Sequence, residues 1–356
     1  MSIASPSMPA APPPSFYGLS RSDLAERLEG LGVARYRADQ IFTWVYRKHH
    51  RRTDAMTNLP GDLRQRFSDV CALEPPRLAS VHATRDQRTH KFVLALADGA
   101  RVECVSMRTE RRLTLCLSSQ VGCALKCSFC ATGLMGLQRN LSAAEIVAQV
   151  IAMGDHHGWR DERFNLVFMG MGEPLANYRA VMDAVRIMND ARGLNLGARR
   201  VTVSTSGLVP QIRALAEEGM AVGLAVSLHA TTDELRDQMV PVNQRWPLGE
   251  LLPAAREFGL KTGRRVTLEY TLIAGVNDSP ADADRLGRIA RDLPSKINLI
   301  PYNPVPGLPW KRPSDDAVTA FAERLYPNAP AVMVRKTLGG EIWAACGQLG
   351  GLSPGE

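Results

Sequence analysis

Three cysteines in eight residues, Cys123-Ala-Leu-Lys-Cys127-Ser-Phe-Cys130, follow directly on a strand-like stretch. No other feature constrains this chain as much, because the spacing supplies three metal ligands rather than four. Closed four-ligand sites are structural, whereas a four-iron cluster held by three thiolates leaves one iron open to a substrate atom. The plainer alternative is a zinc site that draws its fourth ligand from elsewhere in the chain.

Strands and helices alternate after the cysteines. Ser142 and Glu145 form a capping box ahead of Ile146, Val147, Val150 and Ile151. Strand patterns then follow at residues 165–169, 201–205, 222–228, 266–272 and 297–300, with helical patterns between them at 176–189 and 281–292. Such alternation predicts parallel strands joined by right-handed crossovers. Counted from the strand before the cysteines, six units give an α/β fold, a partial (β/α)6 barrel with its site at the carboxyl ends of the strands.

Other segments read differently. Residues 1–15 are almost all Ala, Pro, Ser and Met and predict a disordered leader, while 350–356 form a short tail. Residues 16–76 predict a small helical accessory domain: Ser20 and Asp23 cap a first helix with Leu24, Leu28 and Leu31 on one face, and a second turns Ile41, Trp44 and Val45 inward. That second helix ends in Arg47-Lys-His-His-Arg-Arg52, either an RNA-phosphate clamp or a solvated helix end whose cations oppose the dipole. Residues 77–112 alternate about the turn pair Asp98-Gly99 and predict a β-hairpin extension, leaving 113–349 for the barrel and a C-terminal cysteine loop.

With 356 residues, 45% of them hydrophobic, the chain can bury a full core, which excludes a disordered protein. It has no apolar run of membrane-spanning length and no secretory signal pattern, so a cytoplasmic location is expected. Seven cysteines, an odd number with three packed together, suit a reducing compartment better than a disulfide framework. The net charge of +7 fits a polyanionic partner.

Candidate site residues fall just after the predicted strands: the cysteine triplet, Gly170-Met-Gly172-Glu173-Pro174, Ser204-Thr-Ser-Gly207, Ser227-Leu228-His229 and Asn303. Glu173, fixed by Pro174, offers a carboxylate to a ligand ammonium. Taken singly, a Gly-rich turn is a turn and His229 a satisfied structural histidine; their shared position at one end of a barrel is the argument. An aminoacyl ligand on an open iron, with its ammonium on Glu173, describes S-adenosylmethionine on a 4Fe-4S cluster.

These residues, in the order Glu103, Cys116, the cysteine triplet, Gly170–Pro174, Ser204–Gly207, Ser227–His229, Pro301-Tyr-Asn303 and Ala344-Ala-Cys346-Gly-Gln-Leu349, closely resemble the RlmN/Cfr family of radical-SAM RNA methyltransferases. Tyr36–Ile41 and Met56–Pro60 resemble that family's accessory domain. The resemblance implies a radical-SAM barrel with Cys123, Cys127 and Cys130 on the cluster and Gly172, Glu173, Ser204, Ser227, Leu228, His229 and Asn303 on S-adenosylmethionine. It implies methylation of carbon-2 of an adenine in large-subunit (23S) rRNA, and of the adenine beside the anticodon in some tRNAs, at two S-adenosylmethionine per methyl group.

In the mechanism so implied, Cys346 first accepts a methyl group as thiolate. A deoxyadenosyl radical from a second S-adenosylmethionine removes hydrogen from that methyl, and the carbon radical adds to adenine. Cys116 then releases the crosslinked RNA through a transient disulfide, and Glu103 serves as proton acceptor. A flavodoxin-type electron donor is also implied, and a monomeric state is expected. Cys71 and Cys104 remain as core thiols. Within this class the alternative is carbon-8 methylation of the rRNA adenine, and outside it a noncatalytic metal-containing RNA-binding module. One stretch departs from the family pattern: Leu338-Gly-Gly-Glu-Ile-Trp343 stands where a basic Arg-Gly followed by acidic residues is expected.

Overall fold

In a computed structural model of the protein, residues 13–159 and 162–350 are described. The expected leader lies outside them up to residue 12, as does the tail from residue 351.

The N-terminal helices are α1 (Arg21–Gly30), α2 (Arg37–Phe42), α3 (Gly61–Gln65) and α4 (Phe67–Val70). Ser20 caps α1 by accepting from the Asp23 amide, and the Asp23 carboxylate accepts from the Ser20 amide in return. Behind α2 the chain continues as one π-helical turn, Thr43–Arg47. That turn places Tyr46 in an aromatic cluster with Phe16, Tyr17 and Phe42, whose ring centroids lie 5.2–6.4 Å apart. Trp44 and Val45 are buried beside Ile41, as expected. The basic run is engaged within the chain: Arg47 donates to the Ala191 carbonyl, Lys48 sits over the Trp44 ring, and Arg51 and Arg52 pair with Asp155 and Asp54.

Next come β1 (Arg77–Ala83), β2 (Thr89–Ala95), β3 (Arg101–Arg108) and β4 (Leu113–Cys116), all antiparallel. The hairpin is thus continuous with the barrel sheet. Then follow β5 (Gln120–Gly122), α5 (Ala131–Leu134), β6 (Leu137–Asn140), α6 (Ala143–His157), β7 (Phe164–Phe168) and α7 (Tyr178–Asn189). The remainder is β8 (Val201–Thr205), α8 (Val209–Glu217), β9 (Gly223–Ser227), α9 (Asp233–Met239), α10 (Leu248–Thr262), β10 (Val266–Leu272), α11 (Pro280–Arg291), β11 (Ser295–Pro301), α12 (Asp315–Leu325) and β12 (Val332–Val334).

Strands β4, β7, β8, β9, β10 and β11 are the six predicted parallel strands, and β12 adds a seventh on the far edge. β5 and β6 pair separately and carry the cysteine loop between them. Residues such as Leu166, Val203, Leu224, Leu268 and Leu299 are fully buried between the sheet and its helices. That core runs without a break into the accessory helices. Gly18 and Ala144 mark the seam, since a Cβ on Gly18 would stand 3.0 Å from that of Ala144.

Candidate active site

β5 delivers the chain to Cys123, and Gly122 makes the approach: with φ of 78°, its missing Cβ would lie 1.8 Å from the Gly136 carbonyl oxygen. Only glycine fits there. Cys130 opens α5, its amide donating to the Cys127 carbonyl, while Trp310 Nε1 donates to the Ser128 carbonyl. Burial pushes the Cys123 thiol up to about 11 and raises Cys127 and Cys130 as well. Thiolates in this loop therefore form as a metal enters and neutralises them. Three thiolates are one short of the four donors that close a structural zinc site, so this donor set fits a four-iron cluster with one iron left open.

Against this loop lies a cleft at the carboxyl ends of the parallel strands, lined by Cys127, Cys130, Gly172, Glu173, Ser204, Ser227, His229 and Cys346. Glu173 is buried; its Oε1 accepts from the Leu175 amide at 3.0 Å and its Oε2 from the Ser206 amide at 2.8 Å. Burial nevertheless pushes its carboxyl up to about 7, which an arriving ammonium would reverse. Gly172 has φ 94°, and a Cβ built on it would stand 2.5 Å from that of Gln120.

His229 adopts a left-handed backbone, φ 57°, and its Nδ1 accepts from the Thr271 amide at 3.0 Å. Nε2 must then carry the ring proton. Burial drives its pKa down to about 3, so it stays a neutral donor, packed edge-on against Phe129. Leu228 does not line the cleft: its side chain is fully buried, its amide donates to the Glu269 carbonyl and its carbonyl accepts from Arg236 Nε.

A second cavity adjoins the first. It is lined by Cys116, Cys346, Asn303, Arg335, Leu338 and neighbours, and Cys346 belongs to both. Asn303 therefore stands by the C-terminal loop: its Nδ2 donates to the Cys346 carbonyl at 3.1 Å and its Oδ1 accepts from Thr337 at 3.0 Å. Burial, and after it the adjacent Cys346 sulfur, push the Cys116 thiol up to about 12. The Cys346 sulfur in turn holds Arg335 firmly in its charged form against the penalty of burial. In the segment that departs from the family pattern, Leu338 supplies an apolar wall, and Glu341 accepts from the Arg85 amide at 2.8 Å.

Glu103 is not brought to either cavity. It is buried on β3, where its carboxylate accepts from the Gly350 amide at 3.0 Å and lies 3.6 Å from the buried Lys91 ammonium.

Two residues escaped the sequence reading. Glu269 on β10 lines the cleft and accepts from Asn298 at 3.0 Å. Arg236, fully buried on α9, donates to the carbonyls of Ser206, Ser227 and Leu228 and to Asn243, tying together the loops after β8 and β9. Glu269 had one sequence signal, a carboxylate in an otherwise apolar strand; Arg236 reads as an ordinary helix-surface arginine.

A partial barrel with a three-cysteine loop and a buried carboxylate at its strand ends has the form of a radical-SAM enzyme, and the Radical SAM superfamily profile matches residues 117–286. The ribosomal RNA large subunit methyltransferase N-terminal domain profile (RlmN) matches residues 15–73. The chain is 48% identical to a probable dual-specificity RNA methyltransferase RlmN of Symbiobacterium thermophilum, covering 93% of this chain and 90% of that one. It is 46% identical to the dual-specificity RNA methyltransferase RlmN of Anaeromyxobacter dehalogenans, over 94% and 91%. The crystal structure of a radical SAM methyltransferase from Sphaerobacter thermophilus superposes with a TM-score of 0.90 at 49% identity, covering 94% of this chain and 99% of that one. This chain belongs to the RlmN family of radical-SAM RNA methyltransferases.

Proposed function

We propose that the protein methylates carbon-2 of an adenine in 23S rRNA, and of the adenine beside the anticodon in some tRNAs, by way of S-methylated Cys346. The observation that carries this reading is the position of Cys346 at the junction of the two cavities, facing the Glu173 cleft on one side and Cys116 on the other. Carbon-2 lies between two ring nitrogens and is too electron-poor to attack a sulfonium methyl, so polar transfer fails, whereas a carbon radical carried on the Cys346 sulfur can add to it.

Cys123, Cys127 and Cys130 hold the cluster, which when bound supplies the electron that turns S-adenosylmethionine into a radical source. Glu173 binds the ammonium of that ligand, and Nε2–H of His229 donates to one of its polar groups. As thiolate, beside the Arg335 charge, Cys346 attacks the sulfonium methyl; a carbon–sulfur bond forms and S-adenosylhomocysteine leaves. A second S-adenosylmethionine is consumed in activating the methyl, giving two per turnover.

Once the methylene carbon has joined adenine, and the adduct radical has given up one electron to the oxidised electron donor and lost its ring proton, the Cys116 sulfur attacks the Cys346 sulfur. The sulfur–sulfur bond forms as the carbon–sulfur bond breaks, and the released carbon takes a proton to become methyl. A thiol reductant resets the disulfide. The family resemblance assigns loss of the ring proton to Glu103, although its carboxylate is held on the Gly350 amide outside both cavities. A flavodoxin-type donor, a monomeric state and a cytoplasmic setting complete the proposal.

The test is Cys116→Ala purified from cells. RNA covalently attached through Cys346 and trimmable by nuclease is the expected result, with 2-methyladenosine, not 8-methyladenosine, found by nucleoside mass spectrometry in RNA methylated by the wild type. A cluster-loaded Cys116→Ala protein free of RNA would overturn the thiol assignments.

A further inference from the structure

Three of the seven histidines meet far from the cysteine loop. His90 lies on β2, directly opposite Ser106 of β3, so their side chains share one face of the antiparallel extension. His156 and His157 are the last two residues of α6, whose C-terminus closes over that face. Ring centroids of His90 stand 4.7 Å from His157 and 5.9 Å from His156, and those two are 5.1 Å apart. One ring nitrogen from each lies within 4.8 Å of the others.

We propose that His90, His156 and His157 form a site for a borderline divalent transition-metal ion, with zinc as its physiological occupant, that pins the β2–β3 extension to the end of α6. Three imidazoles on two elements are the donor set of such ions, whereas magnesium and calcium require oxygen ligands. A helix C-terminus adds the negative end of its dipole beside the cation. The surroundings restrict the rings: Trp159 stacks on His157 at 4.8 Å, Phe92 packs against His156 at 5.2 Å, and Ser106 Oγ lies 2.9 Å from Nε2 of His157. Such a hydroxyl orients a ligating ring from the second coordination layer. Because His156 is exposed, the fourth position faces solvent and takes water.

Charge nearby does not forbid an ion. Arg108 faces His157 but is paired with Glu162 at 3.0 Å. Burial holds His90 and His157 below the ordinary histidine range, so both rings are neutral ligands at neutral pH.

The experiment titrates Zn2+ into the anaerobically purified, cluster-loaded full chain, in which the three ligand cysteines are already occupied, against a chromophoric zinc indicator. The expected result is one zinc per chain beyond the cluster iron, bound at least tenfold more weakly by His90→Asn and by His156→Gln, and unchanged in His82→Gln. Substituting Co2+ should give weak visible bands without sulfur charge transfer. No zinc beyond the cluster at micromolar Zn2+, or equal affinity in wild type and both variants, would overturn the site. His156 is exposed, so its variant decides the matter even if His90→Asn fails to fold.

Discussion

At the residue scale, the chemistry rests on groups whose surroundings differ sharply from water. Glu173 keeps two backbone donors yet needs a cation to ionise fully, so Glu173→Gln should weaken S-adenosylmethionine binding by ~10- to 100-fold, the worth of one charge-assisted hydrogen bond, measurable by anaerobic equilibrium dialysis. Arg236→Met would leave three loop carbonyls and Asn243 without their donor and should cost about 3–5 kcal/mol, read as a drop in the thermal midpoint. His157 offers a pH test. Its folded pKa, depressed to about 4, lies below its unfolded value, so the unfolded chain takes the proton first. Stability from this group is complete above about pH 6.5 and is lost as pH falls toward 4; urea unfolding across that range should show a steeper pH dependence in the wild type than in His157→Gln. That the cysteine loop, Glu173 and His229 meet at one cleft was legible before the fold was known, since each follows a predicted parallel strand. Arg236 was not, because nothing local distinguishes a guanidinium that caps three carbonyls from one in solvent.

Elements are set largely by local signals. The capping boxes at Ser20 and Ser142 form as their spacing predicts, and Ser142→Ala should cost α6 ~1 kcal/mol, lowering the thermal midpoint by a few degrees. Gly122 shows where local and distant constraints meet. An alanine there would drive its Cβ into the Gly136 backbone, which cannot swing aside as a side chain can. Gly122→Ala should therefore displace the Cys123 loop, and iron content after reconstitution should fall well below that of the wild type. Separate pairing of β5 with β6 was invisible in the sequence, because three- and four-residue strands carry too little alternation to register.

For the whole molecule, the accessory helices and the barrel share one core, with Phe16 and Tyr17 buried at the seam beside α6. Removal of residues 1–73 should expose that apolar face and give an aggregated product, detectable by size-exclusion chromatography. By itself the sequence determined the class of the fold, the order of the parallel strands and the residue types proposed to hold a cluster and its ligand, because periodicity and spacing are properties of short stretches of chain. Only the tertiary structure decided which cavity each residue serves. It placed Asn303 with Cys346 rather than Glu173, withdrew Glu103 behind Gly350, and gathered three histidines from β2 and α6. Those outcomes depend on where β3, α6 and the C-terminal loop pack, and packing joins residues such as Glu103 and Gly350, 247 positions apart, that no local pattern relates.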